Sequence, residues 1–459
     1  MTARLAETTD FSFVEELLTF GEGYVPQPGD VVEHDATSTT SGEQVPGGSV
    51  KVVATDDEAV SLEDGSGKVY ALSPDAWMWV RESPHIAGTW DKHLRRDDPD
   101  GVAFADDIVD PGLADRLRAD VRRLLEDPAD YHPGSGTRVR DLVNTSLWPY
   151  VEGRSVLATP VVDRTVDDQS SHDRFGRSFE RSRYQWLPTP FTVADDGTVR
   201  ALSYVNNLDS ARHLDTAQDL CALFATALPL IESVVGYVEG TQFFREGDEV
   251  ENESELPELD GPAPKPAPPL SLRGRELLVI PKIVEYRLGA GETHEGVWHV
   301  EGMSHEHIVA TCVYILDRDP ALIGGRLEFK RPYTVEEAGR LFWSADQSRP
   351  APVGALVEEG TIPLGGVETP AGRLLVFPNS HIHKLGKLSL APGADEGKRQ
   401  VIVFWVVDPN VRLPSTREVA PQQGTIQREE ALAMRLDLME ERRRHKETLN
   451  VRVVNLCEH

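Results

Sequence analysis

The sequence has 459 residues, which is too long for one ordinary hydrophobic core, so we expect two or three domains. Its 47 basic and 76 acidic residues give a formal net charge of −29, and a surface this acidic repels phosphate backbones. Three scattered cysteines without C-x-x-C spacing argue against a disulfide framework and a zinc ribbon. No stretch looks long and apolar enough to span a bilayer. We therefore expect a cytoplasmic protein with neither a nucleic acid nor a membrane as partner.

Residues 1–95 predict a small N-terminal β module. Between residues 24 and 80, short apolar runs alternate with turn residues, and Asp64, Gly65 and Gly67 lie where tight turns would fall. This pattern favours an antiparallel, barrel-like fold. Such modules recruit partners or act as spacers, and the sequence does not choose between these roles.

Residues 96–244 predict helices and a hairpin that pack on the rest of the protein. From Pro111, apolar residues recur with a helical period until Asp127 and Pro128 end the run. A second helical block covers residues 210–240, and we expect a break at Pro229. Between the two helices, an Asp-Gly turn at residues 196–197 indicates a β-hairpin.

Residues 245–271 are dense in Glu, Asp and Pro and predict an acidic linker or loop. Residues 272–412 then contain seven or eight short runs rich in Val, Ile, Leu and aromatics, separated by Gly and Pro. These runs predict a double-sheet jelly roll, a cupin-like double-stranded β-helix. The fold class is thus α+β, with flanking helices. The tail, residues 413–459, predicts an amphipathic helix whose apolar stripe contains Leu432, Leu436 and Met439.

The motif His299-Val300-Glu301 is the strongest chemical signal. Residues i and i+2 of an extended chain point to one face, so one segment supplies an imidazole and a carboxylate. A third ligand would come from the stretch FPNSHIHKLG, which offers His381 and His383 after a strand. Two histidines and one carboxylate on one face of a metal leave positions open for a cosubstrate and dioxygen, which is typical of non-haem Fe(II) oxygenases.

Arg399 is the candidate for binding a cosubstrate. It follows His383 by 16 residues at the start of the last strand, where a guanidinium group can bind a carboxylate through two hydrogen bonds. This position suits the distal carboxylate of 2-oxoglutarate.

The order of H-x-E, TCVYIL, GGRLEF, GRLLVFP, His and RxxxVFW resembles the iron- and 2-oxoglutarate-dependent oxygenase superfamily, prolyl hydroxylases included. The segments YQWLPTPF, SYVNNL, WHVEGM, FPNSHIHKL and FWVVDP are more closely similar to an uncharacterised family of domains of unknown function, over residues 140–450. That family's pattern of F-P-N, three variable residues and one His implies His383 as the iron ligand. Glu301 stands where the resemblance makes Asp more usual. Val401 stands where it implies a hydroxyl residue two positions after Arg399, so we expect Tyr286 or Thr311 to supply that hydrogen bond.

Other residues of this region have side chains that could take part in chemistry, but structural roles are also expected for them. We expect His381 to be a surface loop histidine, and Cys312 to fill the core. A role beside the metal or with substrate is possible for three further histidines, but ordinary loop or strand positions are favoured. Trp298 is expected to pack in a wall, and Arg326 either faces the cavity and binds a substrate carboxylate or points outward from its strand. The three histidines are His294, His305 and His307.

The sequence therefore predicts an Fe(II)- and 2-oxoglutarate-dependent dioxygenase that hydroxylates an unactivated C–H bond. The expected iron ligands are His299, Glu301 and His383, and Arg399 is expected to bind 2-oxoglutarate, with dioxygen as the second cosubstrate. A first alternative is a cupin-like module that holds Zn²⁺ or no metal and recruits a partner. A second is a metal-dependent isomerase or dioxygenase that does not use Arg399. The substrate, a small molecule or peptide, and the oligomeric state stay open.

Overall fold

The structure is a computed structural model, and it describes residues 4–5, 28, 31–34, 37–38, 44–45, 48–55, 59–72, 100–159, 173–175, 177, 181–209, 211–244, 268–335 and 361–449. The predicted acidic linker lies outside these residues except for its last few positions. Part of the predicted N-terminal module, including the run WMWV at residues 77–80, also lies outside them.

Strands dominate the described chain, and only three longer helices interrupt them. The strands are β1 (Arg4–Leu5), β2 (Val31–His34), β3 (Thr37–Ser38), β4 (Gln44–Val45), β5 (Gly48–Thr55), β6 (Val60–Glu63), β7 (Val69–Leu72), β8 (Ala103–Asp106), β9 (Val139–Val143), β10 (Tyr150–Val151), β11 (Tyr184–Gln185), β12 (Thr189–Val193), β13 (Val199–Ala201), β14 (Glu276–Gly289), β15 (Thr293–His294), β16 (Ile308–Arg318), β17 (Leu322–Gly324), β18 (Leu327–Pro332), β19 (Thr361–Val367), β20 (Arg373–Pro378), β21 (Ile382–Leu385), β22 (Leu388–Leu390) and β23 (Glu396–Val407). The helices are α1 (Pro111–Leu124), α2 (Leu214–Gly240) and α3 (Arg428–Leu449), and the short 3₁₀ turns are η1 (Ser304–Glu306) and η2 (Gln422–Gly424).

A large antiparallel sheet forms the centre of the protein. Its strand order is β1-β8-β20-β16-β23-β14-β12-β13, and β9 pairs with β14 beside this path. Nine consecutive residues of β16 are buried, which is typical of a central strand covered on both faces. Strands from residues 103–201 therefore share one sheet with strands from residues 276–407. The predicted hairpin at residues 196–197 is present as β12 and β13, in which Val193 pairs with Val199.

Helices α1 and α2 cover one face of the central sheet. Phe224 of α2 makes an edge-to-face contact with Phe404 of β23, with ring centroids 5.4 Å apart. Both residues belong to a large buried cluster that also includes Cys312, which agrees with its expected role as core filling. Asp110 caps α1 by accepting a hydrogen bond from the backbone N–H of Leu113.

Helix α2 differs from the sequence prediction in two respects. The predicted break at Pro229 is wrong, because the helix continues from Leu214 to Gly240 with Pro229 inside it. The proline removes one backbone hydrogen bond, but burial of Leu228, Leu230 and Ile231 around it stabilises the helix. Length and composition would also allow α2 to cross a membrane, contrary to our expectation. Of its most apolar window, 67% is buried inside the protein, as in the core helix of a soluble protein.

Two three-stranded antiparallel sheets lie against the other face of the central sheet. One has the order β19-β18-β21 and the other β15-β22-β17. A second buried cluster joins residues of the central sheet, such as Val313 and Val401, to Leu327, Phe329 and Leu385 of the first small sheet. The protein is thus layered, with helices, a central sheet and small sheets in that order. No sheet closes into a barrel within the described ranges.

The N-terminal segment forms an open four-stranded antiparallel sheet where the structure describes it, with the order β2-β5-β6-β7. The turn between β6 and β7 lies where the sequence predicts one. Asp64 accepts hydrogen bonds from Ser66 and Lys68, and Gly67 has φ +84°, a conformation that favours glycine.

Helix α3 begins at Arg428, and two of the three predicted stripe residues, Leu432 and Met439, are partly buried against apolar clusters. Leu436 is 54% exposed, so the predicted stripe is wrong at this position. The buried positions include Ala431, Arg435, Leu438 and Arg442. The two arginines are buried because each pairs with a buried carboxylate, Arg435 with Asp130 and Arg442 with Glu306. These partners are distant in sequence.

Candidate metal centre and cavity

The three predicted metal ligands lie together at one end of a cavity between the central sheet and the small sheets. Residues 299 and 383 pair as an isolated antiparallel β-bridge, with backbone hydrogen bonds of 3.0 and 2.9 Å in the two directions. This bridge fastens the segment of His299 and Glu301 to strand β21, which carries His383. One ligand atom from each of the three residues can be chosen so that all lie within 4.8 Å of one another.

The distances within this group suit one metal ion. Oε1 of Glu301 lies 3.7 Å from Nε2 of His299 and 3.4 Å from Nε2 of His383. Ligands about 2.1 Å from a metal and at right angles to each other are about 3 Å apart, so small side-chain movements would complete such a site. Burial raises the pKa of Glu301, but hydrogen bonds and charges from the two imidazoles hold it well below its ordinary value. The two imidazoles thus stabilise the charged form of the Glu301 carboxylate, as a bound cation would.

The other nitrogen of each imidazole faces a backbone carbonyl. Nδ1 of His299 lies 2.7 Å from the carbonyl oxygen of Val297, and Nδ1 of His383 lies 3.3 Å from that of His381. A carbonyl oxygen only accepts hydrogen bonds, so Nδ1 carries the proton in both rings and Nε2 is the nitrogen that can bind a metal. A metal bound to Nε2 of both rings would then be held by two neutral imidazoles and one carboxylate.

Asn379 positions the backbone of Glu301. Its side-chain oxygen accepts a hydrogen bond from the N–H of Glu301 at 2.9 Å, and its amide group donates to the carbonyl of Glu301 at 2.9 Å and of Ile308 at 3.1 Å. Asn379 is 2% exposed, so these bonds are shielded from water. Sequence reasoning missed this role, although the F-P-N run contains the residue.

Glu306 is a second positioning residue that sequence reasoning missed. It is fully buried and accepts hydrogen bonds from the backbone of Met303 and Trp186 and from Arg442 of α3. Gly302 lies between Glu301 and Met303 at φ +68°, and a Cβ there would lie 2.7 Å from Glu306. The segment of residues 299–303 is thus held in a turn that needs glycine, and Glu306 links it to helix α3 through Arg442.

The cavity next to the three residues has a volume of about 560 Å³, within the range of small-molecule sites. Its walls combine aliphatic side chains of the central sheet with a few polar groups. Trp405 stacks on Trp186 in one wall, with ring centroids 4.5 Å apart, and Met439 of α3 lines the cavity as well. The aliphatic lining residues of the central sheet are Val139, Val284, Val313, Val401 and Val403.

Arg399 lines the same cavity and is 2% exposed. Among the described residues it has no acidic partner, and its hydrogen bond to the carbonyl of Gly325 is long, at 3.5 Å. Burial lowers the pKa of Arg399 to about 10, so the guanidinium keeps its charge at neutral pH. A buried cation without a counter-charge is costly, and an anionic ligand would compensate it. Tyr286 and Thr311, the two candidate hydroxyl donors, also line the cavity.

The other residues that the sequence singled out lie around this site. His381 is fully buried rather than at the surface, so that prediction is wrong. Its Nε2 lies 2.7 Å from the carbonyl oxygen of Asp100, and burial lowers its pKa to about 4. His294 lines the cavity, whereas Nε2 of His305 lies 3.0 Å from the carbonyl of Tyr184.

Three further candidates lie outside the cavity lining. Residue 307 is in the left-handed conformation, with φ +48°. Trp298 lies beneath Lys330 and Lys384, each about 5.2 Å from its ring, and Arg326 donates to the carbonyl of Gly366 at 2.7 Å.

The fold is layered, with helices packed on antiparallel sheets. Beside its internal cavity lies a His-Glu-His group that could hold a metal ion. The chain belongs to the family described as "Protein of unknown function (DUF4246)", whose model matches residues 78–430. The predicted membership of an uncharacterised family is thereby confirmed. No curated protein matches the chain.

Solved structures similar to the chain include proteins from three bacteria. An oxidoreductase of the 2OG-Fe(II) oxygenase family from Burkholderia pseudomallei is 13% identical, with 70% of this chain and 89% of that chain covered and a TM-score of 0.28. A prolyl-4-hydroxylase from Pseudomonas putida is 12% identical, with 67% and 92% covered and a TM-score of 0.25. IDO from Bacillus thuringiensis is 11% identical at a TM-score of 0.20, and the match spans 29% of this chain and about half, 49%, of that one.

Proposed function

We propose that this protein is a non-haem Fe(II)- and 2-oxoglutarate-dependent oxygenase that hydroxylates an unactivated C–H bond. The observation that carries the proposal is one cavity that holds both the His299, Glu301 and His383 group and a buried arginine, Arg399, which has no counter-charge among the described residues. Two imidazoles and a carboxylate favour Fe(II) with open positions. A guanidinium without an acidic partner in the described ranges, next to such a group, fits a cosubstrate with a distal carboxylate.

The residues of the chain would divide the work as follows. His299, Glu301 and His383 would hold the iron through Nε2, a carboxylate oxygen and Nε2. Bound iron would supply the oxidation chemistry, using dioxygen and the electrons of 2-oxoglutarate. Arg399 would hold the distal carboxylate by charged hydrogen bonds, and the hydroxyl group of Thr311 or Tyr286 would add a neutral one.

The cavity walls would protect the reaction from water. The valines of the central sheet and the stacked pair of Trp186 and Trp405 form a largely apolar lining. Such a lining excludes bulk water and strengthens charged hydrogen bonds in the site. The facing arrangement of the central sheet and the β19-β18-β21 sheet also fits a double-stranded β-helix, the jelly roll that the sequence predicts.

Succinate production tests the proposal. Protein purified without oxygen, reconstituted with Fe(II) and then exposed to oxygen should convert 2-oxoglutarate to succinate, even if slowly in the absence of the substrate. His299→Ala should abolish the signal because it removes a metal ligand. His307→Asn is the matched control: it also removes a histidine, and asparagine tolerates the left-handed conformation of residue 307.

A failure of this assay would have a defined meaning. If the metal-loaded protein neither forms succinate nor binds 2-oxoglutarate, the protein is a metal-binding module or an enzyme that uses no 2-oxoglutarate. A zinc-loaded preparation would not decide the question, since many sites prefer Zn²⁺ to Fe²⁺. The cytoplasmic location and the absence of nucleic acid and membrane partners stay predictions.

A further inference from the structure

The two stacked indoles of the cavity wall differ in their hydrogen bonds. Trp186 and Trp405 both line the cavity. The indole N–H of Trp186 donates to the hydroxyl group of Ser146 at 3.0 Å. The indole N–H of Trp405 is buried, in a residue that is 4% exposed, and it has no acceptor among the described residues. Buried donors are nearly always hydrogen-bonded, so a ligand that brought an acceptor to Trp405 would be favoured.

Thr311 adds a second polar group of the same kind. It lies on β16 directly opposite Trp405 of β23, and both residues line the cavity. The Cβ atoms of such partners are about 5 Å apart, so one group of a ligand can reach both side chains. The Thr311 hydroxyl is buried, in a residue that is 1% exposed, and it has no hydrogen-bond partner in the described part of the chain. One ligand oxygen with two lone pairs could accept from both the N–H and the O–H.

The pair of Trp405 and Thr311 lies near the metal group. Phe377 of β20 is the partner of Thr311 on the other side of β16. Its ring centroid lies 4.6 Å from that of His383. A ligand group bound to Trp405 and Thr311 would therefore place its neighbouring atoms close to the proposed iron.

The same pair is distant from the arginine that would bind 2-oxoglutarate. Trp405 follows Arg399 by six residues on β23, which at about 3.3 Å per residue separates their backbones by about 20 Å. Tyr286, by contrast, lies directly opposite Arg399. Tyr286 is therefore the better placed of the two candidate hydroxyl groups for the cosubstrate, and Thr311 is suited to a second molecule.

The charged side chains next to the two indoles have counter-charges of their own. Nζ of Lys282, on the neighbouring strand β14, lies 3.0 Å from Oδ1 of Asp141. The guanidinium of Arg442 lies 4.0 Å above the ring of Trp186 and pairs with Glu306. A charged group of a ligand would thus be buried here without a free counter-charge among the described residues, which is costly.

The surroundings of the pair also favour an uncharged, apolar ligand. The next pair on the same face of the sheet is Val313 and Val403, and Met439 of α3 lines the cavity as well. The charge of a divalent ion in the metal group would be balanced by Glu301 and the anionic cosubstrate. The substrate is then left with apolar surface to cover and two neutral hydrogen-bond donors to satisfy.

We propose that Trp405 and Thr311 bind a carbonyl oxygen of the substrate, so that the molecule hydroxylated is an uncharged and largely apolar carbonyl compound. This inference rests on the proposed oxygenase function. Two hydrogen bonds would hold the carbonyl group against the central sheet, and contacts with the valines and Met439 would hold the attached hydrocarbon beside the metal group.

Binding of a ketone, its hydrocarbon analogue and its acid analogue tests this assignment. The full-length protein, loaded with diamagnetic Zn(II) and 2-oxoglutarate, would be titrated with para-fluoroacetophenone, para-fluoroethylbenzene and para-fluorobenzoate. Fluorine NMR would give each Kd. The hydrogen bonds should make the ketone bind about fivefold or more tightly than the hydrocarbon. The uncompensated charge should make the benzoate bind about tenfold or more weakly than the ketone.

Two substitutions remove the polar groups and keep the shape of the wall. Trp405→Phe and Thr311→Val should each lower the ratio of ketone affinity to hydrocarbon affinity, and the double variant should bring this ratio close to one. Damage to the wall would weaken both ligands and leave the ratio unchanged, so the ratio separates lost hydrogen bonds from misfolding. Trp148→Phe is the matched control. The Trp148 indole donates to the carbonyl of Ile426 and lies outside the cavity lining, so the native ratio should persist.

Three results would overturn the assignment. The first is a ketone that binds the native protein no more tightly than its hydrocarbon analogue, or not at all. The second is a ketone preference that survives in the double variant, and the third is a benzoate that binds as tightly as the ketone. If the native protein binds no 2-oxoglutarate, the oxygenase proposal fails. The comparison of ketone and hydrocarbon on the Zn(II)-loaded protein alone would still decide whether Trp405 and Thr311 bind a carbonyl group.

Discussion

Arg399 is the residue that separates a 2-oxoglutarate enzyme from other uses of the same metal ligands. It is buried, charged and without an acidic partner in the described ranges, so its charge would be compensated by an anionic ligand. Hydrogen bonds to a charged group contribute about 1.5–3 kcal/mol, which corresponds to roughly 10- to 150-fold in affinity. We expect Arg399→Met to raise the Kd for 2-oxoglutarate by such a factor, measured by anaerobic calorimetry on the Mn(II)-loaded protein.

The control for this prediction is Arg373→Met. Arg373 pairs with Asp106 at the protein surface, away from the cavity lining, and should leave the Kd unchanged. Arg399→Met protein that bound 2-oxoglutarate within threefold of the native affinity would contradict the assignment. It would favour an isomerase or a dioxygenase that needs no 2-oxoglutarate.

Asn379 should control the affinity for metal without touching it. Its three hydrogen bonds fix both backbone groups of Glu301 and the start of β16. Partners of metal ligands typically contribute 10- to 100-fold to metal affinity, so we expect Asn379→Leu to weaken Mn(II) binding by about that factor. Competition with a coloured chelator would measure it. Asn206→Leu removes another buried asparagine, which bonds to the carbonyl of Trp148, and should destabilise the protein without this loss of affinity.

Pairs of residues close in sequence could be predicted from strand geometry, whereas most distant pairs could not. His383, 84 residues from His299, was assigned through the family resemblance. His299 and Glu301 are two positions apart, so their common face follows from strand geometry alone. Asn379 acts on Glu301, 78 residues away, and Lys282 pairs with Asp141, 141 residues away. Periodicity contains no information about such pairs. The same holds for His381, which is buried because its Nε2 meets the backbone of Asp100.

Helix α3 is the element whose role the sequence misses most. An arginine in an amphipathic helix predicts a solvated face, but Arg442 is buried against Glu306 and lies 4.0 Å above the ring of Trp186. Its apolar stem and planar guanidinium allow this position once a carboxylate is present. The helix therefore closes the cavity wall through Met439 and holds the turn that follows Glu301.

The buried ion pair of Arg442 and Glu306 allows the structural role of helix α3 to be tested. Removal of one partner of a buried ion pair typically costs about 3–5 kcal/mol, because the other charge is left buried. We expect Arg442→Met to lower the free energy of unfolding in urea by about this amount and to weaken Mn(II) binding. The double variant Arg442→Met/Glu306→Gln should recover at least half of the lost stability. Additive losses in the double variant would show that the two residues act independently.

At the scale of the whole molecule, the cavity depends on contacts between segments that are far apart in the sequence. Its lining comes from residues 132–146, 186, 282–301, 311–327, 377–405 and 439, so no single predicted domain contains it. The β texture of residues 272–412 was sufficient to predict the strands. It could not show that β8, β9 and β12 join the same sheet, because sheet partners are selected by packing rather than by local pattern.

A bound metal should stabilise this assembly as a whole. His299 and His383 come from two segments that pair through an isolated β-bridge, and an ion between them would cross-link those segments. A ligand at a hundredfold excess over its Kd stabilises the folded state by about 2.7 kcal/mol, which for a chain of this size corresponds to a rise in Tm of roughly 3 °C. We expect Mn(II) to produce such a rise, a chelator to reverse it, and His383→Ala to abolish it, whereas His307→Asn should retain it. An equal rise in Tm in the native protein and in His383→Ala would mean that Mn(II) binds elsewhere on the acidic surface. It would show that His299, Glu301 and His383 are not its ligands.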